Sequence, residues 1–457
     1  MDSSQIFETV SRARTENIAA INILQGECSL DRYAHLMRAD ADGAGEIWTD
    51  AFQAALDENR IVRIPAREMP YLIDRPIIVP SHRRIIADGA AIRLADGVDT
   101  LMLRNEHTHD GTHRPIDTGD RDVDISICGG TWMDNCTARA GYGRTGKYDA
   151  ARSFYGVSTL MLFNNVRGLT VEHAAFAHCG AFAVQCGDSE NIVFEDITFK
   201  DCYADGLHTN GGITNMLIRG VRGQVGDDLV ALNMYDWQDS SVNFGPTRNV
   251  WCEDLELAAD SRYKAIRIEP GMYRYADGSI VDCALNNAMF KNVRGIRTFK
   301  LYYQTPAYPI GGEAEWGDVG SADNIYFEDI AIDLQEPIDR LPDYMNSDAV
   351  TGAFAGFELN AKIKQLHFKD IRLTVDKQRW PQAYLVCVGP KSCRHNGKEI
   401  FDPGLSGEVQ RLELEDISVN GQEVHDISQY VREIVFDHLY PEAPSFARGT
   451  IHALVCK

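Results

Sequence analysis

The fold is decided by residues 205–233, which read DGLHTNGGITNMLIRGVRGQVGDDLVALN. Three acids stand out there, Asp205, Asp227 and Asp228, and a short apolar run typical of a β-strand follows each group. The first and last acids are 23 residues apart (228 − 205 = 23), a separation that suits one turn of a β-solenoid. If one turn separates them, Asp205 and Asp228 stack on neighbouring strands, about 4.8 Å apart along the solenoid axis.

This arrangement has a chemical interpretation and a structural one. Three carboxylates crowded on one face of a sheet repel one another, so they do not all ionise readily. Such a cluster costs stability and serves acid–base chemistry, for example on a glycosidic bond. Alternatively, Gly226-Asp227-Asp228 forms only a turn before a strand, because Gly-Asp pairs are common in turns. The register with Asp205 favours the catalytic interpretation.

The length and composition of the chain suit a long solenoid. A chain of 457 residues ordinarily divides into several domains, but a solenoid lengthens coil by coil without a second core. The formal net charge of −22 argues against a nucleic-acid partner and against an anionic membrane surface. A negatively charged sugar substrate remains compatible with this charge, since a basic cleft can lie on an acidic body.

Targeting and redox signals point to the cytoplasm. The N-terminal sequence, MDSSQIFETVSRARTENIAAINIL, lacks the basic and apolar regions of a secretion signal. No apolar run reaches the roughly 18 residues that a spanning helix needs, so no membrane segment is expected. The 11 cysteines have no CxxC spacing, which predicts free thiols, no zinc site and a reducing compartment.

A repeat runs along the chain from about residue 120. Each unit has an Asn or turn residue, alternating apolar positions, a charged pair and a second alternation, as in NIVFEDITF, NVWCEDLEL and NIYFEDIAI. A period of two without Asn-Gly hairpin turns favours parallel strands over an antiparallel sandwich. Before the repeat, residues 3–24 and 46–58 have helical periodicity. The sequence thus predicts an all-β parallel solenoid preceded by helices.

The order Asp-Gly, then Gly-Asp-Asp one coil later, resembles glycoside hydrolase family 28, the polygalacturonases and their relatives. The likeness extends over residues 46–457 in the pattern of the repeat, and it is specific over residues 164–233. It implies a right-handed parallel β-helix whose first coil is covered by a helix. Residues 1–58 would then form an N-terminal helical cap region, and residues 59–457 a single catalytic domain.

The resemblance also assigns roles to the three acids. Asp205 matches the Asp of the family's Asn-Thr-Asp-Gly motif, and Asp227 and Asp228 match both acids of its Gly-Asp-Asp motif. It implies that Asp227 is the general acid, and that Asp205 and Asp228 hold and deprotonate the attacking water. The family's Asn-Thr is replaced by Tyr203-Ala204 in this chain.

The coil after Gly-Asp-Asp contains two candidate cations, Lys264 and Arg267. The family's Gly-His-Gly has no counterpart here, and the matching stretch, 263–271, reads YKAIRIEPG. Strand alternation then puts Lys264 near the place of the missing histidine and Arg267 in the cleft. We predict that both bind substrate; the alternative is that they are solvated charges on an acidic surface.

Four further side chains are predicted to bind substrate. FKLYYQ, residues 299–304, replaces the family's Arg-Ile-Lys, so Lys300 is the natural cation and Tyr302 the natural sugar platform. His208 lies on the outward side of its strand, and Trp237 offers a ring on which a pyranose can stack. A turn histidine and an aromatic shield at the coil edge are the structural alternatives.

Together these features predict a glycosidase that cleaves oligosaccharides derived from a plant or microbial polysaccharide inside the cell. We expect an inverting mechanism, exo action, and no cofactor or metal. One alternative is a calcium-dependent polysaccharide lyase, in which the acids hold the ion and Lys264 or Arg267 is the base. The other is a carbohydrate-binding β-helix without catalysis. The sugar, its linkage and the oligomeric state do not follow from the sequence.

Overall fold

The computed structural model describes residues 1–40, 45–108, 121–139, 159–236, 241–274, 277–302, 320–334, 354–389, 393–395, 398–400, 407–433, 435–437 and 446–457. It confirms the predicted fold class, a right-handed parallel β-helix with an N-terminal helical cap. Each coil adds strands to two sheets, which we call the site sheet and the long sheet, and the strands of successive coils pair in parallel. The long sheet also has two antiparallel pairs, Arg38–Ala39 with Glu46–Ile47 and Glu408–Val419 with Gln422–Glu423. Sequence repeats thus become coils that stack on one another.

The site sheet has eleven strands in the described part of the chain. They pair in chain order, all parallel, and the strand that follows Asp205 pairs with the strand that begins at Asp228. The strands are Ile77–Val79, Leu103–Asn105, Thr159–Asn164, Phe182–Gly187, Leu207–Asn210, Asp228–Asn233, Ala265–Ile268, Thr298–Tyr302, Phe354–Asn360, Ala383–Val388 and Val431–Glu433.

The long sheet joins the remaining faces of the coils. Early coils give it two short strands each, and from Thr214 onward the two fuse into one bent strand. Its strands are Glu27–Ser29, Arg38–Ala39, Glu46–Ile47, Ile61–Arg63, Tyr71–Ile73, Arg83–Ile86, Ala91–Leu94, Asp122–Cys128, Thr131–Met133, Val166–Glu172, Ala175–Ala177, Glu190–Glu195, Thr198–Lys200, Thr214–Gly223, Thr247–Leu257, Leu285–Ile296, Ser321–Leu334, Lys362–Val375, Glu408–Val419, Gln422–Glu423, Thr450–Ile451 and Leu454–Cys456.

Three antiparallel pairs lie outside these sheets within the described ranges. They are Gly271–Arg274 with Ile280–Cys283, Cys393–His395 with Lys398–Ile400, and Val435–Asp437 with Phe446–Arg448. Each is an excursion from the solenoid and leaves the stacking of the coils intact.

Asparagines that open the sequence repeat form a hydrogen-bonded ladder at the start of the long-sheet strands. All five have a left-handed backbone, and each of the last four donates from Nδ2 to the Oδ1 of the one before, over 2.9–3.2 Å. A left-handed turn suits Asn because its short polar side chain tolerates this region. The ladder consists of Asn191, Asn215, Asn249, Asn287 and Asn324.

The aspartate of each repeated charged pair has a left-handed backbone, which gives the repeat a second left-handed position. Here the backbone φ angles lie between 52° and 57°, and the long-sheet strand bends so that its two halves face different sides of the bore. Asp tolerates this conformation for the same reason as Asn. The positions are Asp196, Asp254, Asp329, Asp370 and Asp416.

The bore is filled by apolar side chains, as the alternation predicted. Leu207, Val230, Leu232, Ile266 and Ile268 are fully buried in one continuous core. Farther along, five rings pack against one another with centroids 4.1–5.4 Å apart, distances typical of favourable aromatic pairs. These rings are Phe290, Phe299, Phe327, Phe357 and Phe368.

The two predicted helices take different positions. Helix α2 (Thr49–Glu58) buries its apolar face, including Phe52 and Leu56, in the same core as the first coils, and so covers the end of the bore. Helix α1 (Ser3–Asn22) instead lies along the outer face of the long sheet. Two 3-10 helices, Leu30–Leu36 and Ser428–Tyr430, complete the helical segments of the described ranges.

Helix α1 is held by a cap at its N-terminus and by apolar packing along its length. Asp2 caps it by accepting from the Gln5 backbone N–H over 2.9 Å, and the Gln5 side chain returns the bond in a capping box. Ile6 and Val10 pack on a row of outward side chains: Val193, Leu217, Trp251 and Met289. Among the described residues, no helix has both the length and the apolar character to cross a membrane.

The asparagine ladder generates a stability prediction at Asn249. Its replacement by Ala removes hydrogen bonds to Asn215 and from Asn287, each with a net contribution of about 0.5–1.5 kcal/mol. It also puts a Cβ-bearing residue with no compensating side chain at φ 58°, a further cost of about 1–2 kcal/mol. We expect Asn249→Ala to lower the free energy of unfolding by about 2–5 kcal/mol in denaturant titrations.

The matched control is Asn249→Gly, which removes the same hydrogen bonds and keeps a backbone that tolerates φ > 0. It should be destabilised by the smaller, hydrogen-bond part alone. Wild-type stability in both variants would contradict a contribution from the ladder.

Candidate active site

Stacking of two coils brings the three predicted acids together. Leu207 pairs with Val230 across the site sheet, so Asp205 and Asp228, two residues earlier on each coil, stand side by side. The Asp228 backbone N–H donates to Asp205 Oδ1 over 3.1 Å. One carboxylate oxygen from each of Asp205, Asp227 and Asp228 lies within 4.8 Å of the others, and all three side chains are buried.

Gly226 has a steric reason to precede the paired acids. A Cβ at this position would lie 2.4 Å from the backbone oxygen of Tyr203 on the preceding coil. Since the coils must approach this closely to pair, glycine is needed at the entrance to the strand. The Gly-Asp-Asp motif thus combines a packing requirement with two functional side chains.

Each aspartate has its own cationic partner. His208 Nδ1 lies 2.7 Å from Asp205 Oδ2, Arg139 Nη1 donates to Asp227 Oδ2 over 2.8 Å, and Arg267 Nε lies 2.8 Å from Asp228 Oδ2. Buried carboxylates need such partners because an isolated buried charge is very costly. Each of the three acids therefore has a basic side chain in direct contact with it.

Burial keeps two of the acids close to protonation. It raises the pKa of Asp228 to about 7, although the nearby Arg267 charge opposes the shift. Burial, and then the charge of Asp205, raise the pKa of Asp227, while Arg139 and Arg267 pull in the other direction. The pair formed by Asp227 and Asp228 can therefore hold a proton near neutral pH, as a general acid must.

The outward side chains of the site sheet form a row in register, which we call the site row. Ala231 is its smallest member and stands beside the acids, and all the others are polar and buried. The row consists of Gln185, His208, Ala231, Arg267, Lys300 and Glu358. Such a strip of buried polar groups is unusual for a solenoid surface and indicates a functional face.

Three predicted binding residues, His208, Arg267 and Lys300, belong to this row. Arg267 contacts Asp228 and also lies 3.7 Å from Glu269. Lys300 Nζ lies 3.8 Å from the centre of the Tyr263 ring, a cation–π contact. The structure thus groups these three side chains with the acids, and their contact with a substrate stays a prediction.

The other three predicted binding residues are not placed at the acids. Lys264 has a left-handed backbone, φ 55°, which breaks the strand alternation on which its prediction was based, and its side chain is half-buried. Among the described residues, its ammonium makes no ion pair with the three aspartates. The side chain of Tyr302 and the whole of Trp237 lie outside the described residues.

Three side chains that contact this site are absent from the sequence predictions. Arg139 lies 88 residues before Asp227 in the chain, outside any repeat, so no spacing signalled it. Asp236 follows the Gly-Asp-Asp strand and lies 2.8 Å from His208 Nε2. Glu269 is the next outward residue after Arg267, and strand alternation would have found it.

Comparisons with known proteins found similarity to solved structures alone. No protein-family model matches it, and no curated protein matches it in sequence. Similar solved structures include the hyperthermoactive exopolygalacturonase of Thermotoga maritima, with 13% identity, a TM-score of 0.48, and 90% of this chain and 97% of that chain covered. The family 28 exopolygalacturonase of Yersinia enterocolitica has 11% identity and a TM-score of 0.43, with 94% and 78% covered.

A third similar structure is the surface adhesin PfbA of Streptococcus pneumoniae, with 14% identity, a TM-score of 0.41, and 94% and 97% of the two chains covered. The β-helix fold itself is established by the parallel pairing of successive coils in the structure. At these identities the likeness concerns the fold, and the chemistry must be argued from the site itself.

The raised pKa of Asp228 gives a stability prediction with a definite sign. The folded state keeps this proton up to about pH 7, whereas 3.8 is the ordinary value. The folded state therefore binds more protons between these values, and stability is lost as the pH rises through them. We expect Asp228→Asn, which cannot ionise, to lose less stability than wild type between about pH 5 and pH 8 in denaturant titrations.

The exposed Asp260 supplies the control, and Asp260→Asn should follow the wild-type pH profile. An Asp228→Asn profile parallel to that of wild type would contradict the shifted ionisation.

Proposed function

We propose that the protein is a glycoside hydrolase that uses Asp205, Asp227 and Asp228 to cleave a glycosidic bond in an oligosaccharide. The observation that carries this proposal is the stack of three buried carboxylates, one oxygen of each within 4.8 Å of the others. Two of them have a raised pKa, and glycosidases need one carboxyl that holds a proton beside one that does not.

In the proposed reaction Asp227 is the acid and gives its proton to the leaving glycosidic oxygen. Asp205 and Asp228 hold a water molecule between them, and it attacks the anomeric carbon as the glycosidic bond breaks. The proton that this water loses passes to the base, so the sugar gains a hydroxyl and the leaving group a hydrogen. Side-by-side carboxylates suit a shared water better than a glycosyl ester, which supports inversion.

The spacing of carboxyls in glycosidases argues in the other direction. Retaining enzymes keep their two carboxyls about 5–5.5 Å apart and inverting enzymes about 6.5–9.5 Å, whereas these acids lie within 4.8 Å. We propose inversion because a carboxylate nucleophile would have to reach the anomeric carbon from the face opposite the acid. Asp205 and Asp228 lie in one cluster with Asp227, so a water that they hold is the better candidate for the nucleophile.

Exo action is supported by the packing on one side of the acids. Leu162 stands two coils before His208 in the same outward row, and it is covered by Leu101 and Val242. The Val242 backbone N–H donates to Asn210 Oδ1 over 3.1 Å, which ties the covering segment to the site sheet. A substrate that cannot extend in this direction has to place a chain end near the acids.

A calcium-dependent lyase is the second candidate, because clustered carboxylates are natural calcium ligands. The partners of the three acids disfavour it. A divalent ion at this position would have to compete with Arg139, His208 and Arg267, each of which already neutralises one carboxylate. The same cations would serve a hydrolase by holding the acids apart and orienting them.

We also propose a cytoplasmic location and an oligosaccharide as the partner. The ten cysteines whose side chains the structure describes are free, and most are buried. Free buried thiols suit a reducing compartment.

The experiment that tests the function is a screen of the purified protein against defined oligosaccharides, with and without a calcium chelator. Release of saturated products that is insensitive to the chelator supports hydrolysis. An unsaturated product absorbing in the ultraviolet, or loss of activity with the chelator, would favour the lyase. Saturable binding without turnover would favour a carbohydrate-binding protein.

Removal of each carboxylate should abolish the reaction. We expect Asp205→Asn, Asp227→Asn and Asp228→Asn each to lower kcat at least about a hundredfold, the scale of general acid–base catalysis. Asp260→Asn, on the exposed surface, is the control and should keep wild-type rates. A folded Asp227→Asn variant with near wild-type kcat would refute the assignment of the acid.

The stereochemistry of the product can be measured directly. We expect proton NMR, recorded early in the reaction, to show the anomer with configuration opposite to that of the substrate. A first-formed product of retained configuration, or a covalent sugar trapped on one of the three aspartates, would refute the inverting mechanism.

A further inference from the structure

His208 bridges two carboxylates inside the site. Its Nδ1 lies 2.7 Å from Asp205 Oδ2, and its Nε2 lies 2.8 Å from Asp236 Oδ2. Asp205 comes from the entrance of the same strand, whereas Asp236 comes from the turn after the next strand of the site sheet. The ring therefore links two coils through one hydrogen-bonded chain, Asp236–His208–Asp205.

The surroundings of His208 favour a supporting role over direct substrate binding. Only 2% of the residue is exposed, and its ring stacks on Phe182 of the preceding coil, with centroids 3.7 Å apart and planes 13° apart. Both ring nitrogens face carboxylates, so neither is directed at a ligand. This geometry gives the residue a different task from the one the sequence suggested.

The hydrogen-bond chemistry fixes the charge of the ring. An ionised carboxylate only accepts hydrogen bonds, so a nitrogen that bonds to one must carry a proton. With an ionised carboxylate at each nitrogen, His208 carries both protons and is an imidazolium ion. Burial alone would lower the pKa of His208, but its hydrogen bonds to Asp205 and Asp236 outweigh this and raise the pKa to about 9.

Other groups around His208 do not change this conclusion. Asn210 Nδ2 lies 3.5 Å from Nε2, and Gln185 is its uncharged neighbour in the site row. Arg267, the next cation of that row, is separated from His208 by Ala231. The charged side chains in contact with the ring, within the described residues, are thus the two carboxylates.

We propose that His208 and Asp236 are positioning residues that orient the Asp205 carboxylate, so that Asp205 is the general base of the reaction. This inference rests on the proposed glycosidase function. Asp205 accepts at Oδ2 from His208 and at Oδ1 from the Asp228 N–H, which fixes the plane of its carboxylate. Each oxygen keeps another lone pair, with which it can accept a bond from water. The exchangeable proton of the site is left to Asp227 and Asp228.

The first test needs no substrate, so it is independent of the proposed function. In protein labelled with ¹⁵N-histidine, the His208 ring is assigned by its absence from the His208→Gln spectrum. We expect both of its ring nitrogens to be protonated at about pH 7.5, above the ordinary histidine value of about 6.5. Asp236→Asn should lower the pH at which the ring loses its second proton. A neutral His208 tautomer in the wild-type protein at this pH would overturn the proposal.

The second test is the pH dependence of kcat/KM on an oligosaccharide that the screen shows to be cleaved. His208→Gln removes a cation from beside the proposed base, and a nearby cation lowers a carboxyl pKa by about 1–3 units. We expect the acidic limb of the profile to move up by about 1–3 pH units. Phe182→Leu removes the ring stack and leaves the charges, so its limb should keep the wild-type midpoint.

The two variants separate charge from packing. If folded His208→Gln lowers the rate but keeps the wild-type limb, His208 has only a structural role and the proposal fails. If Phe182→Leu moves the limb as far as His208→Gln does, packing and not charge controls Asp205, and the proposal fails as well.

Discussion

The structure depends on the hydrogen bonds that hold each coil in register with the next. At the site, the Gly206 N–H donates to the Asp228 backbone oxygen over 3.0 Å, and this bond sets Asp205 beside Asp228. A slip by one residue would turn every outward side chain toward the bore. Register is fixed from inside by apolar side chains such as Leu207 and Val230, and at the turns by the asparagine ladder. Backbone pairing thus determines both the fold and the spacing of the acids.

The electrostatics of the site continue from this constraint. Stacked coils crowd the carboxylates, and burial then makes their ionisation costly. Arg139, His208 and Arg267 offset part of this cost, because each contacts one of the three acids. Their partners affect the acids differently. The pKa of Asp228 stays raised beside Arg267, while Asp205 accepts hydrogen bonds from His208 and from the Asp228 N–H. Environment, and not residue type, therefore distinguishes three identical side chains, a common way of dividing acid and base roles.

Much of this could be predicted from the sequence, and the remainder has identifiable physical reasons. Period-two alternation and the 23-residue separation of Asp205 and Asp228 are local signals, so the fold and the acid cluster follow from them. Arg139 and Asp236 reach the site through the path of turns, which no local pattern encodes. Lys264 was misleading because a single left-handed residue breaks the alternation on which its expected position relied. His208 was found as an outward residue, but its enclosure by Phe182 comes from a neighbouring coil.

Helix α1 has a consequence for how the molecule unfolds. In a simple solenoid each coil contacts only its neighbours, so the array can fray or open piecemeal. Here α1 spans many coils: Asn17 donates to the Leu169 and Asn191 carbonyls near one end, and the Met1 carbonyl accepts from Asn324 at the other. A coil between these points cannot separate without loosening the helix from all the others. The helix therefore joins the central coils, including the pair carrying the acids, into one unit that unfolds cooperatively.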